Sequence, residues 1–457
     1  MPPAPNENLP VVVIGAGPVG LAAAAHLLER GLEPLVLEAG PGPAAAVASW
    51  GHVRLFSPWR YDVDAAARRL LARTGWTHPD PDALPTGADL VEKYLAPLSD
   101  VLGERVRYGT RVVAVARDGA DRTRSRDREQ RPYLVRHTTG TEVHEVRARA
   151  VIDASGTLGT PNPLGPSGLP AIGEERAAGH LAGALPDVLG ADRERFSGRT
   201  TLVVGMGHSA ANTLLSLVEL RREEPATRIV WAIRGASPRR LYGGGADDEL
   251  PARGLLGTRL RDAVEAGAVE LLTEVAIERL EPAAPDAVRV LGTTADAALD
   301  LAVHTIVNAT GFRPDLAMLR EIRLDLDPVV EAPRRIAPLI DPNLHSCGTV
   351  PAHGEAELAH PDDGFYLVGM KSYGRAPTFL LATGYEQVRS VVAALAGDRA
   401  AADAVELNLP QTGVCSSDRS LAADADGVVP AGVPVDVDGG CCATPSGPQP
   451  VTIGARR

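Results

Sequence analysis

The sequence predicts an α/β fold built from two Rossmann-like, three-layer nucleotide-binding domains, and two observations carry that prediction. One is an unbroken order of strand, glycine turn, helix, strand and acid across residues 11–38. The other is the same order of parts, ending in arginines instead of an acid, from residue 200 onward.

In the first unit, Val11, Val12, Val13 and Ile14 form an apolar β-branched run, as in a strand buried on both faces. It leads into Gly15-Ala16-Gly17-Pro18-Val19-Gly20 and then an alanine- and leucine-rich helix that stops at Gly31. Gly15 suits the tight turn, Gly17 lets the backbone approach a pyrophosphate, and Gly20 lets helix and strand pack closely. The helix start offers free N–H groups and the positive end of its dipole to phosphate. A second strand, residues 34–37, ends on Glu38, placed to accept hydrogen bonds from a ribose.

Composition agrees. A chain of 457 residues exceeds one core and implies two or three domains. A net charge of -12 argues against nucleic acid or anionic membrane as a general partner. No apolar run reaches membrane-spanning length, and the opening residues carry no basic, apolar signal pattern. Four cysteines make no disulfide framework, so a reducing cytoplasm is expected.

Beyond Glu38, residues 49–61 concentrate aromatic side chains, including Trp50, Phe56 and Trp59, around Ser57. Such a stretch is either a packed loop or a lining for a flat ring system. Short strands follow at 111–116, 132–137 and 142–149, with the mixed-charge run 118–131 expected as a solvated hairpin tip. Another apolar strand ends in Asp153-Ala154-Ser155-Gly156, and a Pro/Gly-rich linker runs from 159 to 170.

The second unit begins at Thr200. Its turn is Gly205-Met206-Gly207-His208-Ser209-Ala210, with Ala210 as the small third residue, followed by a helix to about Leu220 and a strand over 228–233. Arg234, Arg239 and Arg240 come next. A carboxylate there would repel a 2′-phosphate, whereas a guanidinium grips it with two hydrogen bonds. An acid in one unit and arginines in the other suggest FAD plus NADPH.

The glycine turns with Glu38, the Asp153–Gly156 segment, Asn308-Ala309-Thr310-Gly311-Phe312-Arg313-Pro314 and Gly364-Phe365-Tyr366-Leu367-Val368-Gly369-Met370 occur in one order over residues 9 to about 396. In these pieces the chain resembles the two-dinucleotide-binding-domain flavoproteins, which include flavin-containing monooxygenases and pyridine nucleotide-disulfide reductases. The resemblance implies an FAD-binding domain over 9–165, an inserted NADPH-binding domain over 166–305, the FAD-binding domain resumed over 306–400, and a disordered, cysteine-containing tail over 401–457. It implies cofactor contacts at Gly15, Gly17, Pro18, Gly20, Glu38, Trp50, Ser57, Gly156, Gly369 and Thr378 for FAD. For NADPH it implies Gly205, Gly207, His208, Ser209, Ala210 and Arg234, and it adds Thr310 and Gly311, where the FAD-binding domain resumes, as further cofactor contacts. The helix over 380–395 would aim its N-terminus at the flavin.

No paired cysteines occur in either nucleotide unit, Met370 stands where the reductases carry aspartate, and the second turn has the G-x-G-x-S-A form. These features point to the monooxygenase branch. The F-x-G-x-x-x-H fingerprint of that branch is represented only by Gly179-His180, with His180 expected to be structural. NADPH would reduce the flavin, and the reduced flavin would use molecular oxygen to place one oxygen atom on a small substrate with a soft lone pair, the other leaving as water. The alternatives are an NADPH-dependent reductase of a thiol-bound metal, metalloid or partner, and a nucleotide-binding redox sensor without turnover.

Polar loops at 341–353 and 371–379 offer Cys347, Lys371 and Tyr373 as substrate candidates. His345, Cys347 and His353 have poor spacing for zinc, and no metal site is expected. Cys415, Cys441 and Cys442 lie in a Gly-, Ala- and Pro-rich tail, where thiolates on a mobile arm would capture a thiophilic ion. The chain is also similar to flavoprotein monooxygenases of arsenic-resistance operons, which makes an arsenical a candidate substrate beside sulfides and amines. A homodimer is the candidate assembly.

Overall fold

The computed structural model describes residues 8–242, 251–283, 286–340, 350–376 and 379–407. Its strands are β1 (Val11–Ile14), β2 (Pro34–Leu37), β3 (Val106–Arg107), β4 (Thr110–Arg117), β5 (Tyr133–Thr139), β6 (Glu142–Ala148), β7 (Ala150–Asp153) and β8 (Leu181–Ala182). They continue with β9 (Thr200–Val204), β10 (Arg228–Ala232), β11 (Glu270–Leu272), β12 (Ala276–Ala283), β13 (Ala287–Thr293), β14 (Ala298–Val303), β15 (Thr305–Asn308) and β16 (Phe365–Leu367). Three helices matter for the site: α1 (Pro18–Glu29), α2 (His208–Glu223) and α3 (Leu381–Leu395).

Two five-stranded parallel sheets organise the chain, in the orders β16-β7-β1-β2-β3 and β11-β10-β9-β15-β8. β1 is buried along its whole length, as its apolar run requires. Each sheet is the middle of three layers. In the first, one face packs on α1 and α3, and the other on the antiparallel meander β4-β5-β6. In the second, α2 and the helix Pro251–Glu265 cover one face and the meander β12-β13-β14 the other. All strands of the second sheet and its meander fall between β7 and β16 in sequence, so the second domain is an insertion in the first. Among the described residues no helix is long and apolar enough to cross a membrane.

Three expectations need correction. The sequence places everything from residue 306 in the resumed first domain, but β15 pairs with β9 and belongs to the second sheet. The first domain takes the chain back later, where Leu319 and Ile322 enter the apolar layer under its meander. The run 118–131 is exposed over 121–127, 129 and 130, as a solvated hairpin tip should be, but one charged residue within it departs from that expectation. Arg128 is buried and holds the Asp362 carboxylate through bonds of 2.7 and 2.8 Å, while donating to the Asp121 carbonyl at 2.7 Å. It ties the charged loop to the segment entering β16, and a buried pair persists only when its remaining donors are satisfied in this way. Finally, the tail does not start at 401: Arg399–Asp403 is a helix capped by Asp398, and Arg389 donates to the Ala401 carbonyl at 2.6 Å. Residues 408–457 lie outside the described residues, including Cys415, Cys441 and Cys442.

Candidate functional site

The two glycine turns stand at the carboxyl ends of their sheets, where open parallel sheets bind ligands. In the first, Gly15 has φ +98°, and a Cβ there would lie 2.9 Å from the Ala154 carbonyl oxygen. A Cβ at Gly20 would lie 2.0 Å from the Gly15 oxygen, so only glycine lets α1 cross β1 this closely. At Gly17, by contrast, a Cβ would meet nothing within 4 Å. Two glycines are thus demanded by packing, and the third leaves space for something outside the chain. No side chain caps α1 at Gly17, and Pro18 at the first helical position has no N–H to satisfy. The start of α1 therefore keeps donors for an anion. Glu38 is fixed beside it, accepting from the Ala16 and Gly40 N–H groups at 2.7 Å each. This open cradle with an adjacent carboxylate fits an FAD pyrophosphate and ribose.

The second turn repeats the arrangement. Gly205 has φ +132° and would place a Cβ 2.1 Å from the Ala309 oxygen, whereas Gly207 faces open space. Ala210 is buried against the core, Ser209 is half-buried, and His208 opens α2 with no side-chain cap. Trp231 Nε1 donates to the Gly205 carbonyl at 2.7 Å and braces the turn from β10. Arg234 and Arg239 are exposed just beyond β10, where a 2′-phosphate would need them.

The two crossings between the domains are stitched together. Asn162 on the outgoing crossing donates its N–H to the Gly311 carbonyl at 2.9 Å, and its carbonyl accepts from Asn308 Nδ2 at 2.8 Å and Thr310 Oγ1 at 3.0 Å. Thr310 and Gly311 are therefore a clasp at the domain crossing. His180 Nδ1 lies 3.0 Å from the His304 carbonyl, to which it donates, and this makes it a structural residue of the second domain.

Lys371 and Tyr373, the substrate candidates of the second polar loop, are not open to a substrate. Lys371 is fully buried, with Nζ 2.7 Å from Asp153 Oδ2 and 3.0 Å from Ser155 Oγ. Asp153 is fully buried too, and its Oδ1 accepts from the Ser155 hydroxyl at 2.6 Å. The ammonium thus pins the end of β7 to the turn after β16, beside Gly156 and Gly369. Tyr373 is buried with its ring 5.1 Å from Phe379 and 5.7 Å from His353. His353 donates from Nδ1 to the Pro351 carbonyl and accepts at Nε2 from Gln387, whose Oε1 takes the Gly369 N–H at 2.7 Å. Burial depresses the His353 pKa, in keeping with that neutral form. Among the described residues no group of three His, Cys, Asp or Glu could hold a metal ion. Thr378 and Cys347 lie outside the described residues.

The aromatic stretch is both packed and reaching. Trp50 lies against Gly87, where a Cβ would come within 2.8 Å of its ring, and Trp59 is buried. Phe56 extends to His208 at the second turn, ring centroids 5.3 Å apart.

Residues 10–78 match a family model described as FAD dependent oxidoreductase. No curated protein matches the sequence significantly. Among solved structures, the chain is similar to bacillithiol disulfide reductase Bdr from Bacillus cereus, with a TM-score of 0.64 and 18% identity over 85% of this chain and 99% of the other. It is also similar to the FAD-bound cadaverine monooxygenase DfoA from Erwinia amylovora, with a TM-score of 0.60 and 15% identity over 88% and 98%. A flavin monooxygenase mutant from Stenotrophomonas maltophilia gives a TM-score of 0.55 and 22% identity over 85% and 98%. The fold is that of the two-dinucleotide-binding-domain flavoproteins.

Within this flavoprotein fold, Gly15, Gly17, Pro18, Gly20 and Glu38 are brought to one cradle, and Gly205, Gly207, His208, Ser209, Ala210 and Arg234 to the other. Sequence reasoning misses three features: the Asn162 clasp, the Lys371–Asp153 pair and Asp62, to which Ser57 is bonded at 2.7 Å. Asp153 and Asn162 each stand beside a recognisable motif. Their partners are far away in sequence, and no local pattern marks them.

Proposed function

We propose that the chain is an FAD- and NADPH-dependent oxidoreductase, and within that class a monooxygenase that adds one oxygen atom to a small soft nucleophile such as a sulfide, an amine or an arsenical. The observation that carries the monooxygenase reading is that residues 1–346, which hold both cradles, contain no cysteine. A reductase of disulfides passes the electron pair on through a dithiol at its flavin, and among the described residues there is no cysteine to receive it. Oxygen and a small molecule are then the remaining partners.

In this reading the N-terminus of α1 takes the FAD pyrophosphate and Glu38 the ribose. α2 takes the NADPH pyrophosphate, and Arg234 the 2′-phosphate. The bound flavin would accept a hydride from NADPH and return the electrons to oxygen. The chain's share is to bind, to align the two rings and to keep water from the reacting atoms.

The test is NADPH oxidation by the FAD-loaded protein, first without and then with oxygen, across sulfides, amines and arsenicals. A product carrying one atom from labelled oxygen supports a monooxygenase. Electron delivery to a disulfide or thiol-bound metalloid without oxygen replaces it with the reductase reading, and no flavin bleaching at all leaves a sensor. Coenzyme choice has its own check. Arg234→Ala should raise KM for NADPH by roughly 10–100-fold, the worth of a charge-assisted hydrogen bond, and leave KM for NADH unchanged. Equal effects on both coenzymes would take Arg234 away from the 2′-phosphate.

A further inference from the structure

The segment 56–62 joins the two halves of the site. At one end Phe56 meets His208, the first residue of α2 at the second glycine turn. At the other, Tyr385 Oη donates to the Asp62 carbonyl at 2.8 Å from the beginning of α3. The segment therefore runs along the seam between the second cradle and the helix that starts beside the first. Within it, Ser57 Oγ donates to Asp62 Oδ1 at 2.7 Å. The other carboxylate oxygen, Oδ2, is buried with no hydrogen-bond partner, on a residue only 1% exposed.

A buried carboxylate oxygen without a donor is costly, because nothing replaces the water it gave up. It is relieved if that oxygen carries a proton. The titratable side chains packed around Asp62 supply no cation: Tyr94 and Tyr385 are pushed up by burial, and Asp64 is already bonded to His26 at 3.0 Å. Burial raises the Asp62 carboxyl to about 7, and the Ser57 hydrogen bond only partly opposes it.

We infer that Asp62 is a positioning residue that holds a proton on Oδ2 and, through Ser57, sets how the Ser57 hydroxyl addresses the flavin side of the seam. The inference rests on the flavoprotein reading above. While Asp62 is neutral, the Ser57 O–H bond to Oδ1 is an ordinary one and the hydroxyl can turn to donate elsewhere. When Oδ2 releases its proton to solvent water, the carboxylate holds the Ser57 hydrogen in a charge-assisted bond, and Ser57 is left as an acceptor only.

Two measurements on the full-length protein test this. The first compares urea unfolding of the wild type and Asp62→Asn from pH 4 to 8. A proton retained by folded but not unfolded Asp62 makes the wild-type unfolding constant rise against the variant's by close to tenfold per pH unit from about 4.5 to about 6.5, then level off. A ratio that does not change with pH overturns the proton. The second follows the visible absorbance of bound, oxidised FAD from pH 5.5 to 8.5. The wild type should titrate with a midpoint near neutrality, Asp62→Asn and Ser57→Ala should not, and Ser57→Thr should restore the titration. A Ser57→Ala protein that still titrates overturns the relay even if Asp62→Asn fails to fold. A protein that cannot take up FAD overturns the functional reading and the relay with it, while the unfolding ratio still decides whether Asp62 keeps its proton.

Discussion

Gly17→Ala should fold like the wild type and lose its flavin, whereas Gly20→Ala should not fold stably at all. The two glycines are three residues apart in one turn, and the difference lies in what a methyl group would meet. At Gly20 it would lie 2.0 Å from the Gly15 carbonyl oxygen, and Gly15 is held in place because its N–H donates to the Leu37 carbonyl at 2.8 Å. The obstacle is a backbone atom directly after β1, so relief requires moving α1 off the sheet. Overpacking of this kind costs about 3 kcal/mol or more, a large share of a domain's stability. At Gly17 the methyl group meets nothing within 4 Å, so folding is unaffected. It occupies the space through which a pyrophosphate approaches the backbone, and FAD affinity should fall at least about tenfold, near 1.4 kcal/mol. The flavin-free Tm and the FAD content after reconstitution separate the two outcomes. Full FAD content in Gly17→Ala would remove this turn from the pyrophosphate site.

The parts that are legible in the sequence are those whose cause is local. β1 and β2 are four-residue apolar runs, and their observed limits coincide with those runs because strands buried on both faces admit nothing else. The glycine turns are legible because packing forbids a side chain at Gly15, Gly20 and Gly205. β15 is not, because its four residues carry no mark of their neighbour; pairing with β9, about a hundred residues earlier, decides its sheet. Charge misleads twice in the same direction. Arg128 sits in a run of charged residues yet is buried, since Asp362, 234 residues away, completes it. Lys371 stands among Ser, Tyr, Gly and Arg and looks like a loop lysine, but its partner Asp153 is 218 residues distant. Burial of a charge is a property of the pair, and one sequence shows only its halves.

That last pair gives the other large effect. Lys371→Met should destabilise the protein by about 3–5 kcal/mol, because it keeps the volume of the side chain but leaves the Asp153 carboxylate buried without its cation. The Ser155 N–H and hydroxyl, at 3.1 and 2.6 Å from Oδ1, remain, but both serve the oxygen that Lys371 does not touch. The penalty is therefore one of an uncompensated charge and not of a lost contact, which makes it reversible from the other side. Asp153→Asn combined with Lys371→Met removes the stranded charge and should recover most of the loss, since replacing both members of a buried pair is often close to neutral. Urea unfolding of the wild type, the single variant and the double variant measures this directly. A Lys371→Met protein within about 1 kcal/mol of the wild type, or a double variant no more stable than the single one, would show that the ammonium does not brace β7 against the turn after β16. Because that brace stands directly behind the first cradle, with Ala154 between Asp153 and Ser155 and in contact with the Gly15 turn, FAD retention should fall with the single variant and return with the double one.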